Sequence, residues 1–214
     1  MNNAPLIQKG QNVLFIGDSI VDAGRKYEDP ASLGSGFAFM AAGLFGSLYP
    51  ELDVKFHNRG IGGHRVVDLA ARWQQDCLDL KPDWLTVMVG INDVMRRYDQ
   101  NKPTSVAQYI SGYRELLLQA VDRFGSKLII VEPYVLPTNE MRIQCREDLD
   151  PKIHALRNMA EELGALYIPT DGLFAAARMK GGISYWAPDG VHPTPAGHAL
   201  IARAWLSSVG VNLG

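Results

Sequence analysis

The sequence VLFIGDS at residues 13–19 joins a short apolar run to a polar turn. The four apolar residues of this run do not alternate with polar ones, and most of them are β-branched or aromatic. Such runs are typical of strands that a parallel sheet buries on both faces. Further runs of strand length follow at residues 54–56, 84–89, 128–131 and 166–168.

Segments with helical periodicity lie between these runs. Their apolar stripes are Val66, Ala70, Trp73, Cys77 and Leu80; Val106, Ile110, Tyr113, Leu117, Ala120 and Phe124; and Ile153, Leu156, Ala160 and Leu163. Gly125 and Gly164 are expected to end the second and third helices, and Thr194 with Pro195 to begin the last. Repeated strand–helix alternation implies right-handed crossovers, so we expect an α/β fold, a three-layer α/β/α sandwich with a parallel sheet.

The length and composition fit one domain. The chain has 214 residues, 47% of them hydrophobic, and no composition break divides it. We therefore expect a single domain over residues 1–214. The 21 basic and 23 acidic side chains leave a formal net charge of −2, which argues against nucleic acid as a partner.

The sequence gives no sign of a membrane segment, a metal site or an oxidising compartment. No apolar run approaches the ~18 residues that span a bilayer, and residues 1–11 lack the apolar core of a signal peptide. Cys77 and Cys145 are far apart, and the histidines show no HExxH spacing. We therefore expect a cytoplasmic protein without metal, cofactor or membrane partner.

Polar and glycine residues collect where the predicted strands end. The segments are GDS at residues 17–19, NRG at residues 58–60, GIND at residues 90–93, and DGVHP at residues 189–193 before the last helix. Ligands of open parallel sheets bind beyond the carboxyl ends of the strands. The sequence therefore predicts a site at this edge.

These segments contain the residue types that acyl transfer requires. Ser19 is the candidate nucleophile, His192 the base that takes its proton, and Asp189 the acid that orients the imidazole. The Ser19 and Gly60 N–H groups and the Asn92 amide are candidate donors to the oxyanion. Taken singly, GDS is more often a turn or cap, DGVHP is as often an Asx-turn loop, and Asn92 is more often a helix cap.

The segments together resemble the SGNH hydrolases, also called the GDSL esterase/lipase family. The matching blocks FIGDSI, NRGIGG, VGIND and DGVHP lie within residues 15–193. The residues at the four signature positions are Ser19, Gly60, Asn92 and His192. The resemblance implies a flavodoxin-like five-stranded sheet of order 2-1-3-4-5, a metal-independent ester hydrolase, and Asp189 and His192 as the partners of Ser19.

Within this family the chain is most similar to intracellular acetylxylan esterases and related carbohydrate deacetylases. The similarity lies in residues 34–46, 49–52, 81–84, 90–94, 191–193 and 196–198. It implies removal of acetyl groups from xylo-oligosaccharides or similar sugars through an acyl-Ser19 intermediate, and a homo-oligomer. A general short-chain carboxylesterase or a lysophospholipase-type hydrolase of the same family is the alternative.

Four further residues are candidates for substrate binding. Tyr185 and Trp186 precede Asp189 and would form an aromatic platform for a sugar ring, whereas Asp18 and Arg59 adjoin the nucleophile and oxyanion segments. For the two aromatic side chains the competing interpretation is burial under the last helix or at a subunit contact, and for Arg59 it is a solvated or salt-bridged side chain. Trp205 is a candidate for an exposed subunit contact.

Other classes of protein remain as rivals. A nucleotide-binding module of the same fold is suggested by GIGGHR at residues 60–65, although Arg65 stands where GxGxxG requires glycine. A metal hydrolase would need clustered ligands, and the α/β-hydrolase fold would need a GxSxG elbow. The sequence shows neither pattern.

Overall fold

Five strands form one parallel sheet in the computed structural model, which describes residues 4–213. They are β1 (Asn12–Gly17), β2 (Lys55–Gly60), β3 (Trp84–Met88), β4 (Lys127–Val131) and β5 (Leu166–Ile168). Their order is β2-β1-β3-β4-β5, which confirms the predicted sheet. The predicted domain also includes residues 1–3 and 214, which lie outside the described residues.

Strand β1 shows why its apolar run does not alternate. Val13 and Phe15 belong to the core on one face of the sheet, whereas Leu14 and Ile16 belong to the core on the other face. All four side chains are fully buried. Because successive side chains of a strand point to opposite faces, a strand covered on both sides must be apolar at every position.

Helices cover both faces of the sheet. They are α1 (Ser19–Asp22), α2 (Phe37–Leu48), α3 (Val66–Ala70), α4 (Trp73–Asp76), α5 (Ile91–Asp99), α6 (Val106–Phe124), α7 (Glu140–Gln144), α8 (Arg146–Glu162), α9 (Thr170–Gly181), α10 (Ile183–Trp186) and α11 (Pro195–Ser208). Helices α2 and α11 pack together on one face, and α6 packs with α3 and α8 on the other. Within residues 4–213, none of these helices has both the length and the hydropathy to cross a membrane.

The predicted helix ends follow local chemistry. Gly125 ends α6 with a φ of 66° and donates its N–H to Val121 O, and Gly164 follows α8 with a φ of 62°. Thr194 caps α11 by accepting the Gly197 N–H. These predictions are confirmed because glycine tolerates a positive φ and a threonine hydroxyl can replace a missing helix acceptor.

The stripe from Val66 to Leu80 does not form the single helix that its spacing suggests. The structure contains α3, α4 and a 3₁₀ turn at Leu78–Leu80 instead. The break lies at Arg72, whose φ of −121° and ψ of 8° are not helical. Its guanidinium donates to the carbonyls of Gly17 and Arg59 at 3.1 and 2.7 Å. These bonds join the break to the ends of β1 and β2.

Trp205 is not an exposed subunit contact, so that prediction is wrong. The side chain is fully buried under α11, where its ring lies 5.1 Å from that of Phe15. Its indole N–H donates to the Thr86 hydroxyl at 2.9 Å. The indole therefore attaches α11 to β1 and β3 within the core.

Candidate active site

Ser19 lies where β1 passes into α1. Asp18 caps this helix by accepting the Ile20 N–H at 3.0 Å, and Ser19 is its first residue. A Cβ on Gly17 would lie only 1.9 Å from Met88 O, so glycine is required where β1 passes β3. The Ser19 N–H is in the first helical turn, where backbone donors have no partner within the helix. The hydroxyl and this donor thus share the carboxyl edge of the sheet.

A chain of hydrogen bonds connects Ser19, His192 and Asp189. The Ser19 hydroxyl lies 2.9 Å from His192 Nε2, and His192 Nδ1 lies 2.6 Å from Asp189 Oδ2. Because an ionised carboxylate only accepts hydrogen bonds, Nδ1 carries the proton and Nε2 is free to accept the serine O–H. The three predicted side chains are therefore arranged for proton transfer from Ser19.

The loop that carries Asp189 and His192 is held by its own backbone. Asp189 Oδ1 accepts the N–H groups of Val191 and His192 at 2.9 and 2.7 Å. Partial burial alone would raise the pKa of Asp189, but the hydrogen bonds from His192 and from these N–H groups outweigh it and lower the pKa. Asp189 is thus ionised at neutral pH. Arg142 and Tyr134 anchor the loop by donating to Asp189 O and Val191 O.

Gly60 does not offer its N–H to an oxyanion, which corrects the sequence prediction. This N–H donates to Asn58 Oδ1 at 2.8 Å, and Gly60 is buried at the end of β2. A Cβ at this position would lie 2.1 Å from Asp22 N. Glycine is therefore required at residue 60 for close packing against α1 rather than as a donor to substrate.

The turn that follows β2 provides a better donor. Residues 61–64, which we call the glycine turn, close with a bond from His64 N to Ile61 O. A Cβ on Gly62 would lie 3.8 Å from the Ser19 Cβ, so the turn passes beside the nucleophile. Gly63 has a φ of 80°, and within residues 4–213 no acceptor is bonded to its N–H. The sequence signal for this donor is Gly63, the second glycine of the IGG segment, which the prediction of Gly60 overlooked.

Asn92, the predicted side-chain donor, lies next to the glycine turn. It is in the first turn of α5 and is almost fully buried. Its Nδ2 donates one hydrogen to His64 O at 3.1 Å, which leaves the second amide hydrogen for another acceptor. The N–H groups of Ser19 and Gly63 and the Asn92 amide are therefore the donors that this edge can direct at an oxyanion.

Asp18 does not reach a substrate, which corrects a second prediction. It is fully buried, and burial raises its pKa to about 7. Burial also raises the pKa of Asp93 to about 7, and the two carboxylates repel each other. Asp18 is used inside the protein as the cap of α1.

Arg59 is likewise committed to the protein. Its side chain is 12% exposed, and its guanidinium donates to the carbonyls of Asn58 and Pro30. It also lies 3.9 Å from Asp76. The interpretation of Arg59 as a substrate ligand is therefore wrong in this structure, and its competing interpretation as an ion-paired arginine fits.

Tyr185 and Trp186 lie beside the loop of His192. Thr194 connects the two regions, because its hydroxyl donates to Tyr185 O at 2.7 Å and its N–H donates to Trp186 O at 2.8 Å. The two aromatic rings meet edge to face at 4.9 Å. Tyr185 is exposed, whereas Trp186 is half-buried and bonded through its indole N–H to Ala177 O. Tyr185 therefore presents the more accessible ring.

The histidines and acids do not form a metal centre in the part of the chain that the structure describes. Across residues 4–213, no three His, Cys, Asp or Glu side chains are grouped to hold an ion. His198 is instead used in packing, where its Nδ1 accepts the Phe37 N–H at the start of α2. Burial and the charge of His192 lower the pKa of His198 to about 4, so it stays neutral.

Comparisons with known proteins agree with this geometry. A model of the GDSL-like lipase/acylhydrolase family matches residues 15–200, which include Ser19, Asn92 and His192. An acetylxylan esterase from Geobacillus stearothermophilus is 35% identical over an alignment of 212 residues that covers 95% of this chain and 96% of that protein.

Solved structures show the same fold. The crystal structure of an acetylxylan esterase from Geobacillus stearothermophilus matches with a TM-score of 0.86 and 34% identity, covering 97% of this chain and 99% of that one. An α/β hydrolase from the metagenome of Lake Arreo, Spain, matches with a TM-score of 0.88 and 30% identity over 97% of this chain and 98% of its own.

Proposed function

Because this chain belongs to the GDSL-like lipase/acylhydrolase family, we propose that it is a serine esterase that removes acetyl groups from xylo-oligosaccharides or closely related sugars. The chain is a carboxylic ester hydrolase. The observation that carries the site assignment is the hydrogen-bond chain from Ser19 through His192 to Asp189. The similar enzyme from Geobacillus stearothermophilus supports the acetylated sugar as substrate.

The first half of the reaction forms an acyl-enzyme. The Ser19 oxygen attacks the ester carbonyl carbon while His192 Nε2 takes the hydroxyl proton. Asp189 accepts the Nδ1–H and stabilises the imidazolium that results. His192 then gives the proton to the sugar oxygen as the bond from that oxygen to the carbonyl carbon breaks. Acetyl-Ser19 remains and the sugar hydroxyl leaves.

The second half regenerates the serine. His192 Nε2 takes a proton from water, whose oxygen attacks the acetyl carbon of acyl-Ser19. When the tetrahedral intermediate collapses, the proton on His192 passes to the Ser19 oxygen and acetate leaves. In both halves the negative carbonyl oxygen would accept hydrogen bonds from the Ser19 N–H, the Gly63 N–H and the Asn92 amide.

An exposed aromatic side chain beside the site is a second support for a sugar substrate. We propose that Tyr185 stacks against a sugar ring with Trp186 supporting it, because Tyr185 is 58% exposed beside the loop of His192. A formal net charge of −2 also suits an uncharged ester better than a phosphate. A short-chain carboxylesterase of general specificity and a nucleotide-binding module are not favoured by the relatives found.

A rate comparison across substrates tests this proposal. We expect acetylated xylo-oligosaccharides to be hydrolysed with a higher kcat/KM than acetylated monosaccharides or nitrophenyl esters from acetate to laurate. Ser19→Ala is expected to abolish turnover without changing the circular dichroism spectrum. A preference for long acyl chains would contradict the deacetylase assignment, and near-normal turnover by Ser19→Ala would contradict the mechanism.

We further propose that the protein is a homo-oligomer. Helix α2 contains no charged residue, yet it leaves Phe39 54% and Leu48 47% exposed. Helices that are apolar all round are usually buried, so this face supports a subunit contact. Light scattering after size exclusion is expected to show an oligomer that Phe39→Asp weakens, and a monomer for the wild type would contradict the proposal.

The cytoplasmic location stays a prediction.

A further inference from the structure

We propose that Asp22, Arg25 and Tyr27 form a clamp that positions the glycine turn for oxyanion binding. The inference rests on the proposed function, because it concerns the same reaction. These three are positioning residues, since they hold the turn that would hold the substrate oxygen. We call them the Asp22 clamp.

Asp22 joins the nucleophile helix to the glycine turn. It is the last residue of α1, three positions after Ser19, and is 8% exposed. Its Oδ2 accepts the Gly62 N–H at 3.1 Å, and its Oδ1 accepts the Arg25 N–H at 3.2 Å. One buried carboxylate therefore links the element that carries the nucleophile to the turn that carries the Gly63 donor.

Arg25 holds the other end of the same turn. Its Nε donates to Gly60 O at 2.7 Å, so the peptide that enters the glycine turn is bonded through its carbonyl. The next N–H, that of Ile61, donates to Gly17 O at 3.1 Å. Together with the Asp22 bond, these contacts leave Gly63 as the residue of the turn whose N–H is unbonded within residues 4–213.

Tyr27 completes the clamp from the surface. Its hydroxyl donates to Asp22 Oδ2 at 2.5 Å, the same oxygen that accepts the Gly62 N–H. The Arg25 guanidinium lies 4.5 Å from the centre of the Tyr27 ring. The hydrogen bond to Asp22 raises the pKa of Tyr27, so the phenol remains a donor at neutral pH.

The exposure of Tyr27 separates positioning from folding. Tyr27 is 59% exposed, so little apolar surface is buried by its ring and its removal should affect stability only slightly. An oxyanion donor, by contrast, acts only when it lies within hydrogen-bond distance of the developing charge. Small displacements of the glycine turn should therefore reduce kcat much more than they reduce stability.

Three variants test the clamp. Asp22→Asn keeps the shape of the side chain, but its amide can no longer accept from three donors at once. Tyr27→Phe removes only the hydroxyl, and Tyr98→Phe is the matched control because its hydroxyl donates to Gln144 O, outside the clamp. We expect kcat to fall ~10–100-fold for Asp22→Asn and ~3–10-fold for Tyr27→Phe, with KM within about threefold and Tyr98→Phe close to wild type.

Two further measurements separate the clamp from a structural role. The affinity for a boronic acid that forms a tetrahedral adduct with Ser19 should fall in parallel with kcat/KM, because the adduct uses the same donors. Amide hydrogen exchange at Gly62, followed by NMR, should accelerate in Asp22→Asn. Equal losses of kcat and unfolding temperature in both tyrosine variants would instead indicate a general effect on stability.

The outcomes distinguish the clamp from the proposed function. If the wild type hydrolyses esters while Asp22→Asn keeps its kcat and boronate affinity, the clamp is wrong and the esterase stands. If the wild type hydrolyses none of the esters, the proposed function fails, and Gly62 exchange still decides whether Asp22 holds the turn. Unchanged exchange in Asp22→Asn would overturn the clamp in either case.

Discussion

The two halves of the candidate site are built differently. The nucleophile half consists of Ser19, the glycine turn and Asn92. These residues follow the carboxyl ends of β1, β2 and β3, and Asn92 is only 6% exposed. The acid–base half is a loop in which the side chains of Asp189 and His192 are 46% and 56% exposed. The first half is anchored at buried strand ends, with Asn92 buried and Ser19 and Gly63 half-buried, whereas the second depends on backbone bonds within a loop.

The difference in exposure predicts where substitutions should have strong electrostatic effects on kcat. A buried donor acts on a developing charge with little screening, whereas an exposed carboxylate shares its partner with water. We therefore expect the removal of one polar group to lower kcat more in the nucleophile half than in the acid–base half. The exception is His192, because the proton of Ser19 has no other acceptor in the hydrogen-bond chain.

Among the substitutions that compare the two halves, the largest effect is expected for His192→Ala. Without the imidazole no group takes the Ser19 proton, and kcat should fall ~10³–10⁵-fold. Stability should change little because the side chain is exposed. Steady-state kinetics on an acetyl ester and thermal unfolding measure both effects. More than a tenth of the wild-type kcat in this variant would show that His192 is not the base.

Asn92→Ala tests the nucleophile half. The variant removes a proposed oxyanion donor, and kcat should fall ~10²–10³-fold with a small change in KM. Kinetics on the same ester, with circular dichroism as the control for folding, check the prediction. A rise in KM with an unchanged kcat would assign Asn92 to binding of the substrate ground state.

Asp189→Asn tests the exposed half. The amide can still occupy the same position, but it no longer stabilises the imidazolium, and the site is partly screened by water. We expect kcat to fall ~10–100-fold, less than for Asn92→Ala, without loss of the fold. The pH–rate profile should also change, because the lowered pKa of Asp189 makes it anionic across the neutral range. A larger loss of kcat than that of Asn92→Ala would contradict the expectation that the nucleophile half is the more sensitive one.

The smallest effect is on stability, through Asp18. Its pKa is raised from 3.8 to about 7, so the folded state binds the proton more tightly than the unfolded state. The free energy of unfolding therefore falls as pH rises from about 4 to about 7. Asp18→Asn removes this loss and should stabilise the protein by ~1–3 kcal/mol more at pH 8 than at pH 4.5.

Urea unfolding at the two pH values measures this difference. Asp122→Asn is a matched control, because that carboxylate is exposed on α6. Equal effects of Asp18→Asn at both pH values would show that the buried carboxyl has an ordinary pKa. That result would also weaken the contrast between the buried strand ends that anchor the nucleophile half and the exposed acid–base loop.

Local chemistry explains why some of the structure was predictable. Buried strands and helix ends depend on residues close in sequence, so the apolar runs and Gly125 were interpreted correctly. The break at Arg72 was not predictable, because it coincides with bonds to carbonyls at the ends of two distant strands. The roles of Asp18 and Arg59 were misjudged for the same reason. Adjacency to a motif does not reveal whether a side chain bonds within the protein or faces the substrate.

The amino-acid sequence alone determined the parallel α/β fold, the family and the three side chains aligned for proton transfer. Each of these depends on residue type and on order along the chain. The folded structure was needed to identify which of these glycines has an unbonded N–H within residues 4–213, because Asn58 Oδ1 accepts the N–H of Gly60 and Asp22 Oδ2 accepts that of Gly62. That glycine is Gly63, which we propose as the donor. Each backbone N–H has one hydrogen to donate, and which acceptor it meets depends on distances that exist only after folding.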